Sequence, residues 1–119
     1  MDDIYTDILL ENYKHPKNWG VPSSYQLTNK LANDLCGDEL EVYITLDNNR
    51  VKDIHYTGHG CAICLGTMSL LTEKIMDWSV DQIKDLKEED ILKLINMKSD
   101  SGRKKCATLS LDVIKAVLK

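Results

Sequence analysis

Polar and apolar positions change their period several times along this chain, and each change marks an element. Ile4, Ile8, Leu9 and Tyr13 recur at steps of three and four, which predicts an amphipathic helix over about residues 3–14. His15-Pro16 ends it, because proline disfavours helix in the residue before it. After the irregular Asn18-Trp19-Gly20-Val21-Pro22, a short strand is expected from Tyr25 to Leu31, and Asn33 to Asp38 reads as a turn. Leu40, Val42, Ile44 and Leu46 then alternate with Glu41, Tyr43 and Thr45, the period of a half-buried strand. Asp47-Asn48-Asn49 is turn chemistry, and Val51 to Thr57 returns as the partner strand of a hairpin.

Beyond Gly58 and Gly60 the period becomes helical. Cys61, Cys64, Leu65, Met68, Leu71, Ile75 and Trp78 predict an amphipathic helix that starts at the cysteine. Ser79 with Gln82 has the spacing of a capping box and opens two short helices, around 79–87 and 88–97. Lys98 to Gly102 is a loop, and a last helix runs from Arg103 or Cys106 through Leu109, Val113, Ile114 and Val117. The hairpin has a geometric consequence. Its far end is the Asn48 turn, so Cys36 before it and Cys61 after it are expected at the same open end. Cys61 and Cys106 each fall in a first helical turn, where unpaired N–H groups and the helix dipole favour a thiolate.

At 119 residues the chain is expected to form one domain, residues 1–119, and 43% hydrophobic with 29% charged residues is a globular balance. No apolar run approaches the roughly 18 residues of a spanning helix, and Met1-Asp2-Asp3 has no signal-peptide character. The expected location is the cytoplasm, with no membrane partner. Four cysteines there point to metal or sulfur chemistry before disulfides. A net charge of −4 argues against nucleic acid, although Arg103-Lys104-Lys105 concentrates positive charge directly before Cys106. Three cysteines with the Asp38 carboxylate make a four-ligand set for a thiophilic metal. An oxygen donor is unusual in a closed zinc site, and it would ease release of an iron–sulfur cluster.

Asn12-Tyr13-Lys14-His15-Pro16-Lys17-Asn18, Cys36-Gly37-Asp38, Gly58-His59-Gly60-Cys61 and Lys105-Cys106-Ala107-Thr108-Leu109-Ser110 together resemble the iron–sulfur cluster assembly scaffolds of the IscU, SufU and NifU N-terminal family. The resemblance spans nearly the whole chain. It implies an α+β fold of SufE/IscU-like type, a small antiparallel sheet of about three strands packed against helices. It implies that Cys36, Cys61 and Cys106 accept sulfur and hold a transient [2Fe–2S] cluster, with Asp38 tuning cluster release, or that the same four residues hold zinc. A cysteine desulfurase, acceptor apoproteins and a monomer or weak homodimer follow as expected partners and state. The branches mix: Lys105 stands where IscU proteins have histidine, and no proline follows Pro22 to form a Leu-Pro-Pro-Val-Lys motif. The Lys105 to Ser110 stretch is similar to SufU, yet the step from Cys61 to Cys106 lacks the usual SufU insertion.

The resemblance thus implies a cluster-assembly scaffold, a carrier more than an enzyme, and its alternative is a zinc-dependent sulfurtransferase of SufU type. A dithiol redox protein built on Cys61-x-x-Cys64 is a third class, disfavoured by the absence of a βαβ pattern. Bland readings stand beside the sharp ones. Cys64 reads as core in preference to a fourth sulfur ligand or resolving thiol. Asp38 could simply cap a turn. Lys105 reads as a charge favouring the Cys106 thiolate, His15 and His59 as exposed residues, and Met68, Met76 and Met97 as core filling.

Overall fold

Alternation along residues 40–57 produces the centre of the molecule, an antiparallel meander. The computed structural model describes residues 3–34 and 37–118, with side chains from residue 7 onward. Strands β1 (Leu27–Asn33), β2 (Asp38–Asp47) and β3 (Arg50–His59) lie in the order β1-β2-β3. Asn33 faces Asp38, Tyr43 faces His55 and Asp47 faces Arg50. Asn48 and Asn49 both take positive φ, 52° and 64°, as a two-residue hairpin turn of the favoured hand requires. Leu40, Val42, Ile44, Ile54 and Tyr56 form the buried face, each fully shielded from solvent. On the opposite face Tyr25 packs against Tyr43 with ring centroids 5.0 Å apart, which buries Tyr43 as well.

Strand β1 starts and ends two residues later than the sequence suggests. Tyr25 is diverted into the ring contact with Tyr43, and the Gln26 side chain and backbone tie to Leu46 and Ile44 before pairing begins. Helix α1 (Asp3–Lys14) matches the expected span. Helix α2 (Ala62–Lys74) starts as predicted but stops short of Trp78. Asp77 adopts φ 69°, its N–H donates to the Val51 carbonyl, and the Val51 N–H donates to the Trp78 carbonyl. A tertiary pairing with β3 therefore overrides a helical period that the side chains still satisfy.

Helix α2 also differs from an amphipathic surface helix. Ile63, Cys64, Gly66, Thr67, Met68, Ser69, Leu71 and Thr72 are all buried, enclosed by α1, β3 and α5 (Lys104–Val117). Its small and hydroxyl residues serve that enclosure. A Cβ on Gly66 would lie 2.8 Å from the Leu9 carbonyl oxygen, so α1 and α2 approach closely there. Ser69 Oγ donates to Asn12 Oδ1 (2.8 Å) and accepts from the Lys17 N–H (2.8 Å), while Asn18 Nδ2 donates to Thr72 Oγ1 (3.1 Å). The Asn12 to Asn18 motif is thus a polar strap that fastens the end of α1 to α2.

The expected pair of short helices appears as α3 (Val80–Lys84) and α4 (Glu88–Leu94). The Ser79–Gln82 capping box is present in both directions. Asn96 at φ 56° ends α4, with the Met97 N–H returned to the Leu92 carbonyl. Helix α5 packs against β1, β2, α2 and α4. No helix among the described residues is long and apolar enough to cross a membrane.

Candidate functional site

Three elements begin at one end of the sheet, and each brings a donor. Asp38 opens β2 opposite Asn33. Cys61 follows β3 and is the N-cap residue of α2. Cys106 lies in the first turn of α5, whose N-cap is Arg103. The ligand atoms of Asp38, Cys61 and Cys106 all lie within 4.8 Å of one another. The open end of the hairpin, where Cys36 and Cys61 are expected together, brings Asp38 to Cys61, and α5 adds Cys106. Cys36, expected as the third sulfur, lies outside the described residues.

The Asp38 carboxylate organises the turn around it. Its Oδ1 accepts the Cys61 N–H at 3.1 Å, and Oδ2 lies 3.9 Å from Cys61 Sγ. Asp38 is only 2% exposed, and a buried carboxylate is retained at little cost only where donors reach it. The Gly-His-Gly sequence ahead of Cys61 has a steric reason. A Cβ at Gly58 would fall 2.2 Å from the Glu39 carbonyl oxygen, and one at Gly60 2.4 Å from Asp38 Oδ1. Gly60 also holds φ 155°, which favours glycine. His59 between them is exposed, as is His15.

The Cys61 side chain makes no capping hydrogen bond to α2, leaving its sulfur to the site. Among the described cysteines, Cys61 is partly exposed, whereas Cys64 and Cys106 are buried. Cys64 is fully buried and belongs to the core with Met68 and Leu71; Met76 and Met97 pack at its edge. Arg103 is the residue that sequence reasoning passed over. It follows Gly102 at the start of α5, and hydrogen bonding toward Cys106 and then Cys61, with the charge of both sulfurs, raises its pKa above the ordinary arginine range. Lys105, expected to favour the Cys106 thiolate, is exposed, as is Arg103. The available signal was spacing: Arg103 precedes Cys106 by three, a step that shares a helix face.

Two thiols and a carboxylate at this separation, two of them buried, form a donor set suited to a thiophilic divalent cation or an iron–sulfur unit. The fully buried Cys64 is not part of it.

Comparison with known proteins places this geometry among relatives. The sequence model of the NifU-like N-terminal domain matches residues 4–119. The chain is 27% identical over 127 residues to the zinc-dependent sulfurtransferase SufU of Bacillus subtilis, covering 92% of this chain and 86% of that protein. It is 29% identical over 110 residues to the iron–sulfur cluster assembly scaffold protein IscU of Thermotoga maritima, with 92% and 78% covered. A crystal structure described as a putative iron–sulfur cluster assembly scaffold protein for the SUF system, from Fervidobacterium islandicum, superposes with a TM-score of 0.79 at 21% identity. That match covers 100% of this chain and 96% of the other.

Proposed function

The chain belongs to the NifU-like N-terminal domain family, and on that premise we propose that it is a scaffold on which iron–sulfur clusters are assembled and from which they are passed on. The observation that carries the reading is the convergence of Asp38, Cys61 and Cys106 at one end of the sheet, all within 4.8 Å. Relatives named as scaffolds support it. Cys36 completes the ligand set by its place in the Cys36-Gly37-Asp38 motif. Residues 1–119 act as a single domain in the cytoplasm, with a cysteine desulfurase as sulfur donor and apoproteins as acceptors.

In this reading the cluster is cargo. A site thiolate attacks the terminal sulfur of the desulfurase's persulfide, forming a new S–S bond and releasing the desulfurase cysteine as a thiolate. Two electrons, one from ferrous iron as it becomes ferric and one from an electron-transfer protein or dithiol, then free that sulfur as sulfide and restore the thiolate, and the sulfide joins the iron held by the site. Cys61 is the described cysteine that solvent reaches, so the delivered sulfur meets it first. Asp38, a harder oxygen donor among sulfurs, makes the fourth corner the weakest and gives an acceptor's cysteine a place to enter.

The test is anaerobic reconstitution with desulfurase, cysteine and ferrous iron, followed by iron, acid-labile sulfide and visible absorption. Matched iron and sulfide with absorption that is lost in Cys36→Ser or Cys106→Ser is the expected result. Persistent stoichiometric zinc without sulfide, together with faster desulfurase turnover, would replace the scaffold by a zinc-dependent sulfurtransferase on the same four residues. Neither signal would remove both.

A further inference from the structure

We propose that Cys61 and Cys106 form a reversible disulfide in the metal-free chain, which makes the site its own redox switch: a small dialkyl disulfide oxidises and closes the empty site, and a thiol reopens it. Its effect on metal binding rests on the site reading above, whereas the bond itself rests on the proximity of the sulfurs. The two sulfurs lie within 4.8 Å of one another, although they come from the starts of different helices, α2 and α5. A disulfide is about 2.05 Å long, so a gap of roughly 3 Å at most has to close. Turning one cysteine between staggered χ1 wells moves its sulfur by about that much.

The pair is asymmetric in the way that disulfide exchange requires. Cys61 is partly exposed and its side chain makes no hydrogen bond that caps α2, so it can turn without opening the helix. Cys106 is 5% exposed and shielded from reagent in solution. The Cys61 thiolate attacks one sulfur of the dialkyl disulfide, forming a mixed disulfide and releasing one alkyl thiolate. The Cys106 thiolate then attacks Cys61 Sγ, forming the internal S–S bond and releasing the second alkyl thiolate. Two protein thiols are oxidised, one reagent disulfide is reduced, and the two thiol protons end on the alkyl thiols. Cys64 has the Cys61-x-x-Cys64 spacing of a redox dithiol, but its sulfur lies in the core with Met68 and Leu71.

Oxidation and loading exclude each other. A thiophilic cation is bound by thiolate, and the disulfide removes two of the site's sulfurs at once. A bound cation in turn occupies the sulfur lone pairs that would attack the reagent. The bond also ties the start of α2 to the start of α5, distant points of the chain, and such a link restrains the unfolded state. The oxidised chain therefore stays folded with its site closed, and a thiol returns it to use.

The experiment incubates the full, metal-free chain anaerobically with bis(2-hydroxyethyl) disulfide, quenches with iodoacetamide and identifies the cysteine pairs by peptide mass mapping. Wild type should lose two alkylatable cysteines, joined as Cys61–Cys106, together with the thiolate-to-cobalt charge-transfer band that added Co²⁺ gives the reduced chain. Dithiothreitol should restore both. Cys106→Ser should stop at the mixed disulfide on Cys61, and Cys64→Ala should behave as wild type. With free Co²⁺ held at about a hundred times its dissociation constant only about 1% of the chain is empty, so oxidation should slow about 100-fold. Wild type that stays reduced, stops at the mixed disulfide, or pairs Cys61 with Cys36 or Cys64 overturns the inference, as does oxidation that bound Co²⁺ leaves unslowed. A Cys61–Cys106 bond in a chain whose reduced form binds no Co²⁺ removes the metal site and leaves the disulfide standing.

Discussion

Replacing Gly60 by alanine puts the steric account of the site to its hardest test. The added Cβ would sit 2.4 Å from Asp38 Oδ1, 2.9 Å from its Cγ and 3.2 Å from its Cα. The Asp38 backbone cannot retreat, because it is registered against Asn33 in the β1–β2 ladder. The carboxylate must therefore rotate off the Cys61 N–H, which it accepts at 3.1 Å, or the turn must abandon φ 155°. A non-glycine residue in such a backbone region costs roughly 1–3 kcal/mol. Losing a hydrogen bond to a charged group costs roughly 1.5–3 kcal/mol. Relaxation will spare part of the sum, so a destabilisation of about 3 kcal/mol is expected. Urea unfolding of metal-free protein measures it, and Co²⁺ titration of the same variant should show weakened binding, since Asp38 and Cys61 lose their common reference. Gly102→Ala is the control: a Cβ there meets nothing within 4 Å, so stability should hold or rise slightly. A Gly60→Ala protein that matches wild type in both urea midpoint and cobalt affinity would refute the reasoning.

Other expectations concern the surroundings of the site. Ser69→Ala strips partners from Asn12 Oδ1 and the Lys17 N–H, and should lower stability by roughly 2–4 kcal/mol while leaving cobalt affinity unchanged; urea unfolding beside metal titration separates the two. Burial pushes the Tyr56 hydroxyl from 10.0 up to about 12, opposed by its hydrogen bond to Ser69 and reinforced by Cys64. The folded state then keeps a proton that the unfolded chain releases, so this contribution is complete below about pH 10 and is lost as pH rises toward 12. Stability curves of wild type and Tyr56→Phe should diverge over that range, with the wild type falling more steeply. Cys64→Ala should cost roughly 1 kcal/mol as a small core deletion and leave the cobalt spectrum as it was. Loss of metal binding in that variant would instead make Cys64 a ligand.

The hairpin was legible because one residue type alternated with another for two full strands and an Asn-Asn turn lay between them. The capping box at Ser79 was legible for a similar reason: its signal is local. What escaped the sequence depended on distant partners. Ile75 and Trp78 continue the period of α2, yet the helix stops because residues 77 and 78 pair with Val51. Cys64, by contrast, reads as core from the sequence, and it is fully buried where α2 is enclosed by α1, β3 and α5. Asp38 and Cys106 are expected among the ligands by motif, and Cys36 beside Cys61 by hairpin geometry; Cys36 lies outside the described residues.

The three described ligand atoms come from the beginnings of β2, α2 and α5, so no local segment of the chain contains the site. Closing it requires ordering long intervening stretches, whose loop entropy is recovered only when the tertiary structure forms. Occupancy and folding are thereby thermodynamically linked. A ligand that binds only the folded chain stabilises it by about 2.7 kcal/mol at a hundred times its dissociation constant. Surrendering the cargo gives that increment back. Amide hydrogen exchange should therefore quicken on unloading, and across the helices at large as well as beside the cysteines.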